Sequence, residues 1–240
     1  MSKIALITGA SRGIGKAVAT GLAEDGYQTV LIARDAEKLQ TVAKEITQNG
    51  ALEPLVIPLD VTDEVAVKAA IEQTITKFSH IDVLFNNAGT AKRGDSNVNS
   101  DEFKRQMNVN VFGAYYFIHY IVPHMKEQRS GYIINVSSNV GILGSKVHFV
   151  YGTTKFAIRG MSAHLFKELL EYNVKVTTLF PSASNTEMNK TAIANEDKIP
   201  VSDYVRSIRY LLQLSPNACI AELYLQCKET LLIKEQNTDI

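Results

Sequence analysis

The sequence predicts an α/β fold in which a doubly wound parallel sheet of about seven strands carries helices on both faces. Three observations predict it: short, nearly continuous apolar runs recur along the 240 residues, longer amphipathic segments lie between them, and no linker or repeat divides the chain. Such apolar runs are typical of strands buried on both faces, and strand–helix alternation implies right-handed crossovers between parallel strands. We therefore expect one domain over residues 1–240.

The predicted elements alternate in order along the chain. Strands are expected at residues 3–8, 28–33, 53–59, 82–86, 131–137, 174–180 and 221–226. Helices are expected at residues 13–25, 36–49, 63–79, 101–127, 152–172 and 202–214. Sheets of this type bind ligands beyond the carboxyl ends of their strands, at the point where the strand order reverses. Residues that follow strands are therefore the candidates for function.

Composition excludes several classes of protein. Lys and Arg (25) balance Asp and Glu (25), which argues against nucleic-acid or membrane-surface binding. No apolar run approaches the roughly 20 residues that span a bilayer, and the N-terminus does not resemble a signal peptide. Cys219 and Cys227 form neither a disulfide framework nor a zinc site. We expect a cytoplasmic protein without a metal.

A glycine-rich turn follows the first predicted strand. It reads Thr8-Gly9-Ala10-Ser11-Arg12-Gly13-Ile14-Gly15, and a helical pattern begins within it. Glycines let the backbone approach a pyrophosphate, and a helix N-terminus offers free N–H groups and a positive dipole end. The spacing G-x-x-x-G-x-G differs from the G-x-G-x-x-G fingerprint, so a plain tight turn is the alternative. Its place directly after the first strand favours a dinucleotide site.

The end of the second predicted strand bears on the choice of dinucleotide. In NAD sites an acid at this position accepts hydrogen bonds from the ribose 2′-OH. Here Ala33 occupies that position and Arg34 follows it. Arg34 and Arg12 can clamp a 2′-phosphate, so the sequence favours NADP(H). Asp35 stands one residue later, and a shift of the strand end by one residue would favour NAD.

A tyrosine and a lysine four residues apart are the candidates for proton transfer. Tyr151 and Lys155 would share one face of the helix predicted there. A nearby ammonium is expected to lower the pKa of a tyrosine from about 10 toward neutral pH. Tyr151 could then donate a proton to a carbonyl or accept one from an alcohol.

The same spacing occurs a second time, at Tyr224 and Lys228. Tyr224 lies on a predicted strand, where residues i and i+4 are about 13 Å apart. Tyr151 also has Ser138 13 residues upstream, at the end of a predicted strand, whereas Leu211 stands at that distance before Tyr224. We interpret Tyr224 as structural.

Two serines end the fifth predicted strand. The Ser138 hydroxyl could hydrogen-bond a substrate oxygen and hold it near the Tyr151 phenol. Turn capping is the alternative for both serines, and we assign it to Ser137.

Taken together, these motifs resemble those of the short-chain dehydrogenase/reductase family of about 250 residues, which has a Rossmann-type fold. The resemblance extends from Lys3 to about Met188. Its motifs occur in order: the TGASRGIG turn, Asp60-Val61, Asn86-Asn87-Ala88-Gly89, Asn110 within VNVFG, Ser138, and Tyr151 with Lys155.

The resemblance implies roles for residues that spacing alone does not assign. Asp60 would bind the adenine amino group, although it could instead cap the next helix, for which Thr62 or Asp63 is better suited. Asn110 would distort its helix and hold a water that relays protons to Lys155, unless it is satisfied by its own backbone. Lys155 would also bind the nicotinamide ribose, and hydride would pass without a metal.

The expected site residues fall into two sets. Those expected to act in catalysis are Asn110, Ser138, Tyr151 and Lys155. Those expected to bind NADP(H) are Gly9, Ser11, Arg12, Gly13, Ile14, Gly15, Arg34, Asp60, Val61, Asn87, Ala88, Gly89, Tyr151, Lys155, Pro181 and Thr186.

One position departs from the family pattern. After the sixth strand the family usually has Pro-Gly and then a threonine; here Ser182 follows Pro181, while Thr186 stands where it can bind the carboxamide. Ser182 is expected to make a positive φ harder to adopt in this loop, which could change cofactor affinity.

The substrate is expected to be a hydrophobic ketone or aldehyde, because most of the segments expected to line its site are apolar; these are residues 141–144, residues 147–149 and the substrate loop 182–200. His148 is interpreted as a solvated loop residue rather than a substrate contact. Lys92 and Arg93 leave open a 3-oxoacyl thioester on an acyl carrier. A protein that senses NADP(H) without turnover is the other alternative.

A homodimer or homotetramer is expected, since family members pair the helices predicted at 101–127 and 152–172 across a two-fold axis. Both helices carry more apolar and aromatic residues than one sheet face needs. The alternative is that these residues are ordinary core.

Overall fold

All seven strands lie in one parallel sheet, which confirms the predicted doubly wound α/β fold. The computed structural model describes residues 2–188 and 193–236. The strands are β1 Ile4–Thr8, β2 Gln28–Ala33, β3 Leu55–Pro58, β4 Val83–Asn86, β5 Gly131–Val136, β6 Val174–Pro181 and β7 Glu222–Leu225. Their order is β3-β2-β1-β4-β5-β6-β7, and all neighbours pair in parallel. The order reverses between β1 and β4, so their carboxyl ends mark the expected ligand site.

Helices connect the strands and cover both faces of the sheet. They are α1 Gly13–Glu24, α2 Ala36–Gln48, α3 Glu64–Phe78, α4 Ser100–Met107, α5 Gly113–Gln128, α6 Phe149–Leu169, α7 Val201–Gln213 and α8 Lys228–Gln236. Within the described residues, no helix is long and apolar enough to cross a membrane.

The strands bury both faces because successive side chains point to opposite sides. On one face, Leu6 lies in a core built with α3, α5 and α6, which includes Phe117 and Leu165. On the other, Ile7 lies in a core built with α1, α2 and α7, which includes Tyr204. Leu6 and Ile7 are both 0% exposed. Every residue of β1 is buried, which explains its continuous apolar run.

Two predicted helices differ from the structure, and one helix of the structure was not predicted. The helix expected over 101–127 is divided by a π-helical turn at Asn108–Phe112, in which Gly113 N–H donates to the carbonyl of Asn108, five residues back. The helix expected from 152 begins at Phe149, so Tyr151 already lies within it. Helix α8 was not expected, because its short sequence has a weak amphipathic pattern.

Candidate functional site

The glycine turn joins β1 to α1 and leaves no room for a side chain at Gly9 or Gly15. Gly9 has φ +68° and Gly13 has φ +56°. A Cβ built on Gly15 would lie 2.2 Å from the carbonyl oxygen of Gly9 and 2.6 Å from Asn87 Nδ2. Ser11 is half-buried in the turn, and Ile14 packs against the core. The turn therefore needs glycine both for its dihedral angles and for contact with the end of β4.

The N-terminus of α1 is suited to a phosphate. Arg12, the residue before α1, makes no side-chain cap, and the first helical turn contains no acid. Among the residues that the structure describes, neither Arg12 nor an acid of the first turn caps the first N–H groups of α1, which carry the positive end of the helix dipole. This arrangement fits the pyrophosphate of a dinucleotide.

A threonine at the end of β1 fixes the end of β4, and sequence reasoning did not identify it. Thr8 Oγ1 accepts hydrogen bonds from the backbone N–H groups of Asn87 and Ala88, each at 2.9 Å. Asn87 Nδ2 donates to the carbonyl of Thr8 at 3.0 Å. These contacts hold residues 87–89 beside the glycine turn. A threonine in a strand carries no signal for this role, since its branched side chain already suits a strand.

The end of β2 is settled by its pairing with β3. Ala33 is the last residue of β2 and lies opposite Pro58. Asp35 caps α2 by accepting a hydrogen bond from Lys38 N–H, which lowers its pKa. Asp35 thus has a structural role, and the strand end is not shifted toward it. Arg34 is therefore the first side chain beyond the strand.

Both arginines expected to bind a 2′-phosphate lie at the surface in ion pairs. Arg12 Nη1 is 2.9 Å from Glu187 Oε2, and Arg34 Nη1 is 3.7 Å from Asp60 Oδ2. The glycine turn lies beside the end of β2, because Ala10 N–H donates to the carbonyl of Ile32. The two guanidiniums therefore belong to the same edge of the sheet.

Residues 60 and 61 follow β3 and have different roles. Asp60 Oδ1 accepts hydrogen bonds from the backbone N–H and hydroxyl of Thr62, at 3.0 and 2.9 Å. The cap of α3 is Asp63, as the sequence favoured. Val61 is buried, and a Cβ built on Gly113 would lie 2.7 Å from its Cγ2. Asp60 thus orders the turn while one of its oxygens stays near Arg34.

The proton-transfer candidates meet where β5 ends and α6 begins. The Ser138 hydroxyl donates to Asn139 Oδ1 at 3.1 Å, and Ser138 lies close enough to the Tyr151 phenol to act on its pKa. Lys155 is 4% exposed, donates from Nζ to the carbonyl of Val136 at 2.8 Å, and lies 5.6 Å from the centroid of the Tyr151 ring. The structure therefore brings Ser138, Tyr151 and Lys155 together.

The ionisation of this group differs from the expectation that Lys155 lowers the pKa of Tyr151. Burial raises the pKa of the Tyr151 phenol, and the hydrogen bond with Ser138 opposes that rise. Burial also lowers the pKa of the Lys155 ammonium, to about 8. Loss of water is the largest cause of both shifts, because both charged forms are poorly solvated there. Tyr151 is thus protonated at neutral pH.

We expected Ser137 to cap a turn, but the structure gives it a different role. Its hydroxyl donates to the backbone carbonyl of Lys155 at 2.8 Å, and both residues are buried. A Cβ built on Gly141 would lie 2.4 Å from Ser137 Oγ. Ser137 therefore joins the end of β5 to α6.

Asn110 lies in the π-helical turn and is 1% exposed. Its Oδ1 accepts from Thr90 N–H at 2.7 Å, and its Nδ2 donates to the Thr90 carbonyl at 2.8 Å and to Thr154 Oγ1 at 3.0 Å. A Cβ built on Gly89 would lie 3.3 Å from Asn110 Oδ1 and 3.7 Å from Lys155 Nζ. Asn110 and Lys155 therefore converge on the turn after β4. The expected local distortion is present, and the water relay stays a prediction.

The segment after β6 approaches the glycine turn. Pro181 ends β6, and a Cβ built on Gly13 would lie 3.4 Å from Thr186 Cγ2. Ser182 is buried, donates its N–H to the carbonyl of Leu225, and is not among the residues with positive φ. The strain expected at Ser182 is therefore not present in this conformation. Residues 189–192 of the expected substrate loop lie outside the described residues.

His148 is held beside Tyr151 rather than in a solvated loop. It precedes α6, its Nδ1 lies 3.0 Å from Ser145 Oγ, and its ring centroid is 6.1 Å from that of Tyr151. Burial and the charge of Arg93 lower its pKa. A backbone bridge between Gly94 and His148 joins this segment to the loop after β4. His148 is thus a neutral side chain near the candidate site.

Comparison with known proteins relates the chain to oxidoreductases. A family model described as short chain dehydrogenase matches residues 3–197. An uncharacterized oxidoreductase of Staphylococcus aureus (strain MW2) is 35% identical, over 92% of this chain and 95% of that protein. The crystal structure of a β-ketoacyl-[ACP] reductase (FabG) from Bacteroides thetaiotaomicron is 38% identical with a TM-score of 0.87, over 97% of this chain and 99% of that chain. The X-ray structure of an alcohol dehydrogenase from the archaeon Thermococcus sibiricus, complexed with 5-hydroxy-NADP, is 28% identical with a TM-score of 0.88, over 95% of this chain and 97% of that chain.

Proposed function

The chain belongs to the short-chain dehydrogenase/reductase family, and from this premise we propose that it is an NADP(H)-dependent carbonyl reductase. It transfers hydride between nicotinamide and a ketone or secondary alcohol, with Tyr151 as the proton donor. The observation that carries the proposal is the pairing of Tyr151 with the buried Lys155, whose Nζ lies 5.6 Å from the centroid of the Tyr151 ring, beside Ser138 at the end of β5.

The residues of this chain account for the proton-transfer half of the reaction. The nicotinamide cofactor, when bound, supplies hydride to the carbonyl carbon. Ser138 holds the carbonyl oxygen within reach of the phenol, and Tyr151 gives that oxygen its proton. The raised pKa of Tyr151 keeps the phenol protonated before the reaction. The Lys155 ammonium then stabilises the phenolate that remains.

Two arginines support NADP(H) over NAD(H). Arg12 and Arg34 flank the expected position of the adenosine ribose, and Ala33 replaces the acid that would bind a 2′-hydroxyl. Glu187 pairs with Arg12, and Asp60 pairs with Arg34. Exposed ion pairs contribute little free energy, so a doubly charged phosphate can displace these acids. The 5-hydroxy-NADP in the related alcohol dehydrogenase is consistent with this choice.

We propose a hydrophobic carbonyl compound as the substrate. Exposed apolar side chains stand around the start of α6: Leu143 is 56% exposed, Val147 38% and Phe149 46%. They offer apolar contact to a substrate whose carbonyl reaches Tyr151. The 38% identity to a β-ketoacyl-[ACP] reductase favours a second candidate, a 3-oxoacyl thioester, whose acidic carrier could contact the exposed Lys92 and Arg93.

A substrate panel assayed with both cofactors tests the function. We expect NADPH oxidation with hydrophobic ketones, diketones or quinones, and a much lower kcat/KM with NADH. Higher activity on 3-oxoacyl thioesters than on free ketones would establish the second candidate. Tight NADPH binding without turnover on any carbonyl would instead indicate a protein that senses the cofactor.

We propose that the chain assembles as a homodimer or homotetramer through α5 and α6. Phe112, Tyr115 and Phe156 are 45%, 42% and 43% exposed near these helices, which leaves aromatic surface that the sheet does not cover. Light scattering at micromolar concentration should give at least twice the 26.5 kDa mass of the chain. A monomer alone would refute this assembly.

A further inference from the structure

Thr154 lies between Tyr151 and Lys155 on α6 and is 0% exposed. Its hydroxyl donates to the carbonyl of Tyr151 at 2.7 Å, as threonines in helices often do. The same oxygen accepts a hydrogen bond from Asn110 Nδ2 at 3.0 Å. Because the only hydroxyl proton is used toward Tyr151, Thr154 can present only a lone pair to Asn110.

This lone pair favours one orientation of the Asn110 amide. Nδ2 donates both to Thr154 Oγ1 and to the Thr90 carbonyl, at 3.0 and 2.8 Å, so Oδ1 is the atom that accepts from Thr90 N–H, at 2.7 Å. Reversing the amide would place its oxygen against the Thr154 oxygen and its NH₂ group against Thr90 N–H. Both new contacts would be repulsive in a buried position. Thr154 therefore reinforces the amide orientation in which Asn110 binds both the N–H and the carbonyl of Thr90.

Thr90 directly follows Asn87-Ala88-Gly89, the segment that lies against the glycine turn. A chain of buried hydrogen bonds thus runs from α6, through Thr154 and Asn110, to the segment that lines the expected cofactor site. One end of this hydrogen-bond chain lies next to the expected proton donor, Tyr151. The other end lies next to the segment that is expected to contact the nicotinamide cofactor. Reactions of this kind are sensitive to errors of about 1 Å in the relative position of such groups.

We infer that Thr154 is a positioning residue, which sets the distance between the Tyr151 phenol and the cofactor through Asn110 and Thr90. It touches neither substrate nor cofactor. The inference rests on the proposed reductase function, but the hydrogen-bond chain on which it depends can be measured without turnover.

The test uses the nearly isosteric Thr154→Val in the full-length protein, with Thr153→Val as the matched control. Thr153 is exposed, and its hydroxyl donates to the Phe149 carbonyl at 2.7 Å, so the control removes the same kind of helical contact without a second partner. We expect kcat to fall about tenfold in Thr154→Val, with the NADPH Kd within twofold. Thr154→Ser should restore kcat to within threefold, and Thr153→Val should leave it unchanged.

Amide hydrogen exchange at Thr90 provides a readout that needs no substrate. Exchange should accelerate at least tenfold in Thr154→Val and stay within twofold in Thr153→Val. Unchanged exchange at Thr90 overturns the inference, whatever the enzyme does. Equal losses of kcat in both valine variants, or no rescue by serine, would also overturn it. A wild-type protein inactive on every carbonyl refutes the proposed function, while the exchange result still decides the role of Thr154 in this hydrogen-bond chain.

Discussion

The chain contains two tyrosine–lysine pairs with the same spacing, and their surroundings differ. Tyr151 and Lys155 lie on one helix at the carboxyl edge of the sheet, where Lys155 is buried. Tyr224 lies on the edge strand β7, stacks on Phe180 at 4.7 Å, and donates its hydroxyl proton to the carboxylate of Glu222. Lys228 is exposed at the start of α8.

The difference shows that this spacing brings a phenol close to an ammonium where both residues lie on one helix. Burial raises the pKa of both phenols, but the further causes differ: Ser138 opposes the rise at Tyr151, whereas Glu222 increases it at Tyr224. A phenol that already donates to a carboxylate has no proton available for a substrate. The following predictions test this contrast.

Removing the two phenols should have the most unequal effects. Tyr151→Phe should lower kcat about a thousandfold, because the reaction loses its proton donor, while the NADPH Kd changes little. Tyr224→Phe should keep kcat within twofold. Steady-state kinetics and fluorescence titration with NADPH provide both values. An active Tyr151→Phe enzyme would end the assignment of this tyrosine as the acid.

The serines before Tyr151 should separate substrate positioning from folding. Ser138→Ala should lower kcat about a hundredfold, since the substrate oxygen loses a hydrogen-bond donor. Ser137→Ala should lower the free energy of unfolding by about 1 kcal/mol, because the Lys155 carbonyl loses its partner, with kcat within threefold. Kinetics and urea unfolding measure the two effects. If both variants lose activity equally, Ser138 has no special role.

Lys155 and Lys228, the lysines of the two pairs, should differ in their effect on the free energy of unfolding. A pKa of about 8 for Lys155 in the folded protein, against 10.5 unfolded, means that its charge destabilises the fold below pH 8 by about 3 kcal/mol. The cost falls as the pH rises from about 8 to 10.5, because only the unfolded state then retains the proton. Lys155→Met should therefore stabilise the fold at pH 7 and lose this advantage by pH 10.5, at the expense of activity.

Lys228→Met is the control for that measurement and should change the free energy of unfolding by less than about 0.5 kcal/mol at either pH, since Lys228 is exposed. Urea unfolding at pH 7, 9 and 10.5 provides the comparison. A Lys155→Met protein that is no more stable than the wild type at pH 7 would contradict the proposed cost of burying this charge.

The smallest effect is expected for cofactor choice. Arg34→Ala should raise the KM for NADPH about tenfold more than that for NADH, because only NADPH has a 2′-phosphate. The control is Arg159, whose guanidinium binds both oxygens of Glu222 beside Tyr224, at 2.7 and 3.0 Å. Arg159→Ala should change the two KM values equally. Equal changes in Arg34→Ala would remove the basis for preferring NADP(H).

The sequence predicted the features that follow from periodicity and from turn chemistry. The seven apolar runs led to the sheet, the glycines after β1 led to its tightest turn, and Ser138 distinguished Tyr151 from Tyr224. These features are local, so each can be recognised within about 15 residues.

Features that depend on distant contacts were not predictable in this way. Thr8 and Thr154 are ordinary residues for a strand and a helix, and their roles arise from partners 79 and 44 residues away. The pKa of Tyr151 was expected to move in the wrong direction, because sequence shows the neighbouring ammonium but not the loss of water around both groups. Ser137 was misassigned for a similar reason, since its partner is 18 residues away.

The two hydrogen bonds accepted by Thr8 also bear on how the protein folds. They join positions 79 and 80 residues apart, and β1 and β4 must be adjacent before they can form. Closing such a chain loop costs entropy before any contact compensates for it, which slows folding. A nascent chain that contains only β1, α1 and β2 has the glycine turn but not the segment that supports it. The binding site is therefore completed late, and the dinucleotide should bind the folded protein rather than guide the early steps of its folding.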